Sequence, residues 1–277
     1  MKCGWDRLLK ILPVSLKNSV DKIGRDSLQE IRLRVGLPVI LVCKDGDRIL
    51  PDIVSKEQID FVVNTASRYS PWSAATIAQG YLTAPGGHRI GVCGDAVIRD
   101  GQVTGFRSLR SLCIRVARDF PGVSRKIPTP KESLLIVGPP GSGKTTLLRD
   151  LIRRISAEKM AICVVDERGE IFPDGMDFEI GEYTDVLTGC PKPVGLMMAL
   201  RTMGPHWLAV DEITDEKDCD SLLEAAWCGV KLLATVHAAD KKDLLSRKIY
   251  ESLMTRGIFA NLIILKRDKS FVVDRGI

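Results

Sequence analysis

The hydrophobic pattern of this chain changes character near residue 119. Before that point, helical and alternating periods mix without regular succession. Trp5–Leu12 and Lys56–Arg68 repeat apolar residues at helical spacing, and Ser55 is placed to cap the second helix. Leu28–Val35 reads as a strand, with Leu28, Ile31, Leu33 and Val35 set against Arg32 and Arg34. Tyr81–Ala84 and Arg89–Val97 read as strands joined across a Pro85-Gly86-Gly87 turn, and a further strand covers Cys113–Ala117. These elements predict a small α+β domain over residues 1–120. Asp119–Pro130 then holds three prolines and a glycine in twelve residues, which predicts an extended linker at 121–130.

From residue 131 onward the pattern is short apolar runs separated by helical stretches. Leu134–Val137, Ala161–Val165, Trp207–Val210 and Leu232–Val236 read as strands, and Lys144 to about Ala157 as a helix. Continuous apolar strands alternating with helices predict a parallel sheet covered on both faces, over residues 131–277.

The chemistry sits at the ends of these strands. Gly138-Pro139-Pro140-Gly141-Ser142-Gly143-Lys144-Thr145 fits the spacing of a phosphate-binding loop, with an apolar strand before it and a helix after it. Glycines let backbone N–H groups turn toward phosphate oxygens, and the helix start adds its dipole. In this pattern Lys144 reaches the β- and γ-phosphates of a nucleoside triphosphate and Thr145 ligates magnesium, with Thr146 next in the helix. A chance glycine turn is the plain alternative, and the strand and helix on either side argue against it. Asp211-Glu212 ends the apolar strand Trp207–Val210. Asp211 is the candidate magnesium acid and Glu212 the group that orients and deprotonates an attacking water. The alternative for Asp211 is a helix-capping acid ahead of Ile213-Thr214. A strand between the two motifs fits a RecA-like or AAA-like sheet.

Two further groups fall on the same strand edge, where ligands bind in open α/β sheets. Asp166-Glu167-Arg168-Gly169-Glu170 follows one strand, and Glu167 or Glu170 is placed to order water or magnesium; a solvated charged loop is the alternative. His237 closes another strand and is a candidate γ-phosphate sensor, against a purely structural histidine. ATPases of this kind draw on a cation from a neighbouring subunit to neutralise the γ-phosphate, so at least one arginine is expected to act in trans. His88, Arg89, Arg107, Arg110, Arg115 and Arg118 in the first domain are candidates, and so is Arg201 in the second. Taken singly, each arginine also reads as a surface charge.

Composition narrows this little. Hydrophobic residues make up 45% of the 277 and charged residues 27%, as in a globular chain with room for two cores. No apolar run reaches the length of a membrane span, and Met1–Pro13 lacks the apolar core of a secretion signal, so a cytosolic location is expected. Eight scattered cysteines have no Cys-x-x-Cys spacing, which predicts reduced, buried thiols. The net charge of +5 permits nucleic acid without arguing for it.

In their order these residues resemble the secretion-superfamily ATPases of type II and type IV pilus systems: phosphate loop at 138–145, acidic box at Asp166, Leu200-Arg201 before Val210-Asp211-Glu212, and Thr235-Val236-His237-Ala238. A sporulation branch of that family is resembled in Glu30-Ile-Arg-Leu-Arg-Val-Gly-Leu-Pro38, in Gln79-Gly-Tyr-Leu-Thr-Ala-Pro-Gly-Gly-His-Arg-Ile-Gly91 and in Asp166–Glu170. The resemblance runs over nearly the whole chain. It implies a hexameric, cytosolic ATPase of spore formation using ATP and Mg2+, working in the mother cell beneath a channel to the forespore. It also implies a membrane-embedded, platform-like partner, and ATP held between the two domains with first-domain arginines near its phosphates. The larger secretion ATPases carry a cysteine-rich zinc module or long extra N-terminal domains; the cysteine spacing and the length predict neither here. The alternative function is a nucleic-acid-associated ATPase such as a helicase loader, which the Arg107–Arg118 cluster allows. Aromatic residues at 5%, not interleaved with basic ones, weigh against it. A small-molecule kinase fits less well still, since Glu212 favours hydrolysis and no lid is evident.

Overall fold

The computed structural model describes residues 1–68, 73–173 and 178–275. The chain separates into two compact units, one essentially Met1–Asp119 and the other Phe120–Phe172 with Phe178–Ile277.

In the first unit, helices α1 (Trp5–Ile11) and α2 (Val14–Ile23) precede strands β1 (Leu28–Arg34), β2 (Pro38–Cys43) and β3 (Arg48–Ile53). Helices α3 (Lys56–Ala66) and α4 (Ser73–Ala78) lead to β4 (Tyr81–Ala84), β5 (His88–Arg99) and β6 (Gln102–Arg115). The strands form a six-stranded sheet in the order β3-β2-β1-β6-β5-β4, with antiparallel pairs throughout. Ser55 caps α3 as the pattern predicts. Its side chain accepts from the Gln58 N–H, and the Gln58 side chain accepts from the Ser55 N–H. One sheet face buries Ile31, Leu33, Leu41, Ile90 and Ile114 with Leu8, Leu12 and Leu16 from the first two helices and Ile59 and Val62 from α3. Each such side chain contributes roughly 1.5–3 kcal/mol on leaving water.

The strand expected at Cys113–Ala117 is the end of the much longer β6. Its first half is mostly exposed and polar, so no hydrophobic alternation announces it; pairing with β5 from Arg99↔Gln102 onward holds it in place. Arg107 and Arg110 therefore lie within a strand, not ahead of one.

The second unit contains β7 (Leu134–Val137), α5 (Lys144–Ala157), β8 (Ile162–Asp166), β9 (Thr184–Thr188), α6 (Lys192–Met203) and β10 (Trp207–Val210). It continues with α7 (Glu216–Trp227), β11 (Lys231–Val236), α8 (Lys241–Ser246), α9 (Glu251–Thr255), β12 (Asn261–Leu265) and β13 (Phe271–Arg275). The seven-stranded sheet runs β13-β12-β7-β11-β10-β8-β9 and is parallel except at the β12–β13 edge. Every residue of β7, β8 and β10 is buried. Alternate side chains feed two cores, Leu135, Val137, Leu208 and Val210 on one face and Leu134, Ile136, Trp207 and Ala209 on the other.

The stretch expected to be an extended linker is folded into turns against α5. Asp150 accepts from the Gly122 N–H at 2.7 Å, the Ser124 N–H at 2.8 Å and the Ser124 hydroxyl at 2.6 Å. Arg154 donates to the Ser124 carbonyl at 2.6 Å and to Thr129 Oγ1 at 2.9 Å. Ile127 is buried in the α5 core. The prolines and the glycine here serve turns, which suit them as well as extended chain does. All eight cysteines are free thiols, but only Cys43, Cys163 and Cys219 are buried; Cys113 is half-buried, and Cys93 and Cys228 are exposed.

Candidate functional site

The phosphate-loop segment leaves β7 at Gly138 and enters α5 at Lys144. A side chain is excluded at Gly138 by close approach: a Cβ there would lie 2.6 Å from Ser142 Oγ and 3.0 Å from the Leu265 carbonyl oxygen. Gly143 ends the loop at φ +101°, a left-handed conformation suited to glycine. Pro139 is half-buried and Pro140 and Gly141 are exposed, while Ser142 is almost fully buried. Among the described residues, Ser142 Oγ has no hydrogen-bond partner.

Lys144 Nζ donates to the carbonyls of Gly138 at 2.9 Å and Pro139 at 3.1 Å, and lies 2.8 Å from His237 Nδ1. Burial pulls its pKa below the ordinary lysine value, with Asp211 and Glu212 pulling the other way. The Thr145 hydroxyl, one helix position on, donates to Asp211 Oδ2 at 2.6 Å; Thr146 follows, half-buried. The other Asp211 oxygen accepts from the Thr235 hydroxyl at 2.5 Å, and Thr235 Oγ1 in turn accepts from the Glu212 N–H at 2.8 Å. The cap of the following helix is Asp215, which accepts from the Asp218 N–H, so the capping alternative for Asp211 is not realised.

Glu212 stands at φ +55°. Its Oε1 lies 2.5 Å from His237 Nε2 and its Oε2 3.6 Å from Arg168 Nη1. His237 therefore bridges Lys144 and Glu212, with Nδ1 accepting from the ammonium and Nε2–H facing the carboxylate. These contacts all form because β7, β10 and β11 are neighbours in a parallel sheet, which delivers their C-terminal ends to one edge.

Asp166 ends β8 on the same edge. It is buried, and its carboxylate accepts from the N–H groups of Glu170 at 2.8 Å, Ile171 at 2.9 Å and Phe172 at 2.9 Å. Burial pushes its pKa up to about 6 despite those donors. The acidic cluster is therefore no solvated loop: Asp166 anchors its turn from inside. Glu167 lines a shallow cleft together with Asp166, Arg168, Lys192, Asp211 and Glu212. Its Oε2 accepts from Lys192 Nζ at 2.8 Å.

Arg201 is not at this cleft within its own chain. It lies exposed in the last turn of α6, nine residues from Lys192, or about 14 Å along the helix axis. Because α6 runs antiparallel to the strands, its C-terminal end falls at the opposite sheet edge. In the first unit, His88 is fully buried, with Nε2 2.9 Å from the Gly4 carbonyl and Nδ1 accepting from the Ala117 N–H at 3.2 Å. Burial lowers its pKa, so it is a neutral structural histidine and not an available cation. Arg110 pairs with Asp95 at 2.9 Å, Arg115 with Glu30 at 3.5 Å, Arg118 donates to the Arg25 carbonyl at 2.9 Å, and Arg89 lies over the Tyr81 ring. Arg107 is exposed and has no hydrogen bond or ion pair among the described residues.

Two members of the cluster were not assigned a role from the sequence. Thr235 is fully buried in β11, and a polar residue inside the apolar run that follows Lys231 was the available signal. Lys192 belongs to no motif.

The family model described as sporulation stage III, protein AA matches residues 5–277. The chain belongs to that family. It is 34% identical over 281 aligned positions to stage III sporulation protein AA of Bacillus subtilis (strain 168), covering 95% of this chain and 92% of that one. It is 27% identical over 115 residues to the type IV pilus assembly ATPase TfpB of Acinetobacter baylyi, covering 41% of this chain and 19% of that protein. Among solved structures, the fold is similar to the ATPase DotB of Legionella pneumophila, with TM-score 0.59, 19% identity and coverage of 95% and 80%. It is likewise similar to the pilus retraction motor PilT with bound ADP, with TM-score 0.62, 18% identity and coverage of 93% and 77%. This sporulation family thus shares the P-loop fold of the secretion ATPases, here following an antiparallel-sheet unit.

Proposed function

We propose that this protein is a Mg-ATP-hydrolysing motor of a secretion-like apparatus in sporulation, acting as a homo-oligomer, in our reading a hexameric ring, on a membrane-embedded platform-like partner. The observation that carries the reading is the interlocked pair of contacts Lys144–His237–Glu212 and Thr145–Asp211–Thr235 at one sheet edge. Gly138–Thr146 would hold the triphosphate, with backbone N–H groups and the start of α5 facing it. Ser142 Oγ, buried without a partner, fits a phosphate oxygen as its missing acceptor. The hard oxygens of Thr145 and Asp211 fit magnesium, which supplies charge neutralisation between the phosphates when bound. Lys144 binds the β- and γ-phosphates. Glu212 orients the attacking water and takes its proton, and His237 holds Glu212 and registers the γ-phosphate through Lys144. Glu167 assists from the far side of the cleft. Arg201, far from its own chain's cleft, and exposed Arg107 are the cations we assign to a neighbouring subunit's site.

The similar proteins support the motor class: one is a pilus assembly ATPase and another a pilus retraction motor. Among the described residues no helix is long and apolar enough to cross a membrane, which suits a peripheral, partner-held location on the mother-cell side. The test is phosphate release by the purified protein with MgATP, together with its size by light scattering with and without a slowly hydrolysed analogue. A nucleotide-dependent ring with concentration-dependent turnover is expected. Full turnover by a monomer, independent of concentration, would overturn the ring, and stimulation by oligonucleotides would favour the nucleic-acid reading.

A further inference from the structure

Lys192 breaks an ordinary rule of helix chemistry. It is the first residue of α6, where free N–H groups and the helix dipole disfavour a cation, and it is 7% exposed. Two carboxylates from different elements compensate: Glu167 Oε2 at 2.8 Å, just after β8, and Asp218 Oδ2 at 3.4 Å, in the first turn of α7. Burial pulls the ammonium's pKa down, and Glu167 and Asp218 more than reverse that. Pro191 and Pro193 flank it and restrict the backbone on either side.

The same Asp218 oxygen accepts from the Thr214 N–H at 2.9 Å and the Thr214 hydroxyl at 3.1 Å. Thr214 lies two residues after Glu212. One ammonium thus joins the loop after β8, which carries Glu167, to the loop after β10, which carries Asp211 and Glu212. The Ile213 end of the second loop is held independently, by its N–H to the Thr235 carbonyl at 2.9 Å and by the Tyr250 hydroxyl on its own carbonyl at 3.1 Å. The part that depends on Lys192 is Thr214–Asp218.

We propose that Lys192 is a positioning residue: it holds the Glu167 carboxylate at the cleft and, through Asp218, fixes the Thr214–Asp218 segment that supports Glu212. The kinetic consequence rests on the ATPase reading above; the mechanical tie does not. Without the ammonium, Glu167 faces Asp211 and Glu212 with one fewer cation and turns toward solvent, while Asp218 becomes a buried charge that has lost its counter-ion.

The test compares Lys192→Met, which keeps bulk without charge, with Lys192→Arg, and repeats the methionine change in the backgrounds Glu167→Gln and Asp218→Asn. The Asp218→Asn background removes the orphaned charge in case Lys192→Met alone fails to fold. By hydrogen exchange, Lys192→Met speeds the amides of 167–170 and 214–218 while those of β7 and β11 are unchanged, and Lys192→Arg restores both loops. In turnover, Lys192→Met lowers kcat roughly 10–100-fold with little change in KM, as loss of a supporting contact does. In Glu167→Gln, the same change lowers kcat by a smaller factor than in the wild type, because the part of the tie that runs through Glu167 is already weakened and only the Asp218 part is left to lose. Exchange that rises throughout the unit, or in neither loop, overturns the tie. An equal loss of kcat in the Glu167→Gln background overturns action through Glu167. If the wild type releases no phosphate at all, the ATPase reading falls and the exchange result alone decides the tie.

Discussion

The two sheets solve the same burial problem with different consequences for polar groups. The antiparallel sheet of the first unit buries one face, and its buried histidine, His88, is satisfied by backbone alone. The parallel sheet of the second unit is buried on both faces, and several of its buried polar side chains, Lys144, Asp166, Lys192, Asp218 and Thr235, bond one another or the loops at a single edge, while others such as Asp150 and Ser156 bond nearby loops beside α5. Parallel strands bring their C-terminal ends together, so polar residues there become neighbours; antiparallel strands distribute their ends to both edges. Burying a polar group is therefore a matter of local structure at His88 and of assembled chemistry at the strand ends of the second unit.

That contrast is open to test. The largest effect is expected from Lys144→Ala, which should reduce ATP turnover by about 10³-fold or more in a phosphate-release assay and leave thermal stability nearly unchanged, because its partners are loop carbonyls and His237. A core change in the first unit should do the opposite: Ile31→Ala should cost about 2–5 kcal/mol in denaturant unfolding of that unit, and preserved stability would show that its core is loosely packed. The two units should also respond oppositely to pH. His88 is held below the ordinary imidazole value, so as pH falls below about 6.5 the unfolded chain takes a proton that the native unit refuses, and stability drops. Asp166 is pushed up to about 6, so between about pH 4 and 6 the native unit keeps a proton that the unfolded chain releases. Stability from Asp166 is present below that window and is lost as pH rises through it, at a cost on the order of 1–3 kcal/mol. Hydrogen exchange read unit by unit, corrected for its intrinsic pH dependence, checks both signs. The smallest effect belongs to the exposed Arg110–Asp95 pair, where Arg110→Ala should shift stability by less than about 1 kcal/mol.

Much of the second unit was legible because its signals are local. Strands β7 and β10 and the start of α5 fall where the apolar runs and the glycine loop place them; in the first unit a local signal was equally readable, since Ser55 caps α3 as its spacing requires. What escaped depended on long-range pairing. Strand β3 carries Pro51, which only an edge strand tolerates, and β9 is a polar edge strand beside β8. The first half of β6 exists through β5. At the site, Lys144, Thr145, Asp211, Glu212 and His237 were readable as strand-end chemistry, and the structure brings all five together. Lys192 was not readable, since its role comes from two carboxylates that are distant in sequence. Arg201, in the last turn of α6 ahead of β10, lies at the opposite end of the strands from the cleft of its own chain, which leaves a neighbouring subunit's site as the place where it could act.

The backbone of Glu212 carries a further consequence. Its φ of +55° is a left-handed conformation that costs a residue with a side chain about 1–3 kcal/mol, and it stands two residues beyond the end of a fully buried strand. Glycine would relieve that strain. Glu212→Gly should therefore lose the carboxylate that meets His237 and recover part of the stored backbone energy, making stability and activity competing demands on one residue. The protein tolerates a local weakness at the position where its proposed chemistry is concentrated.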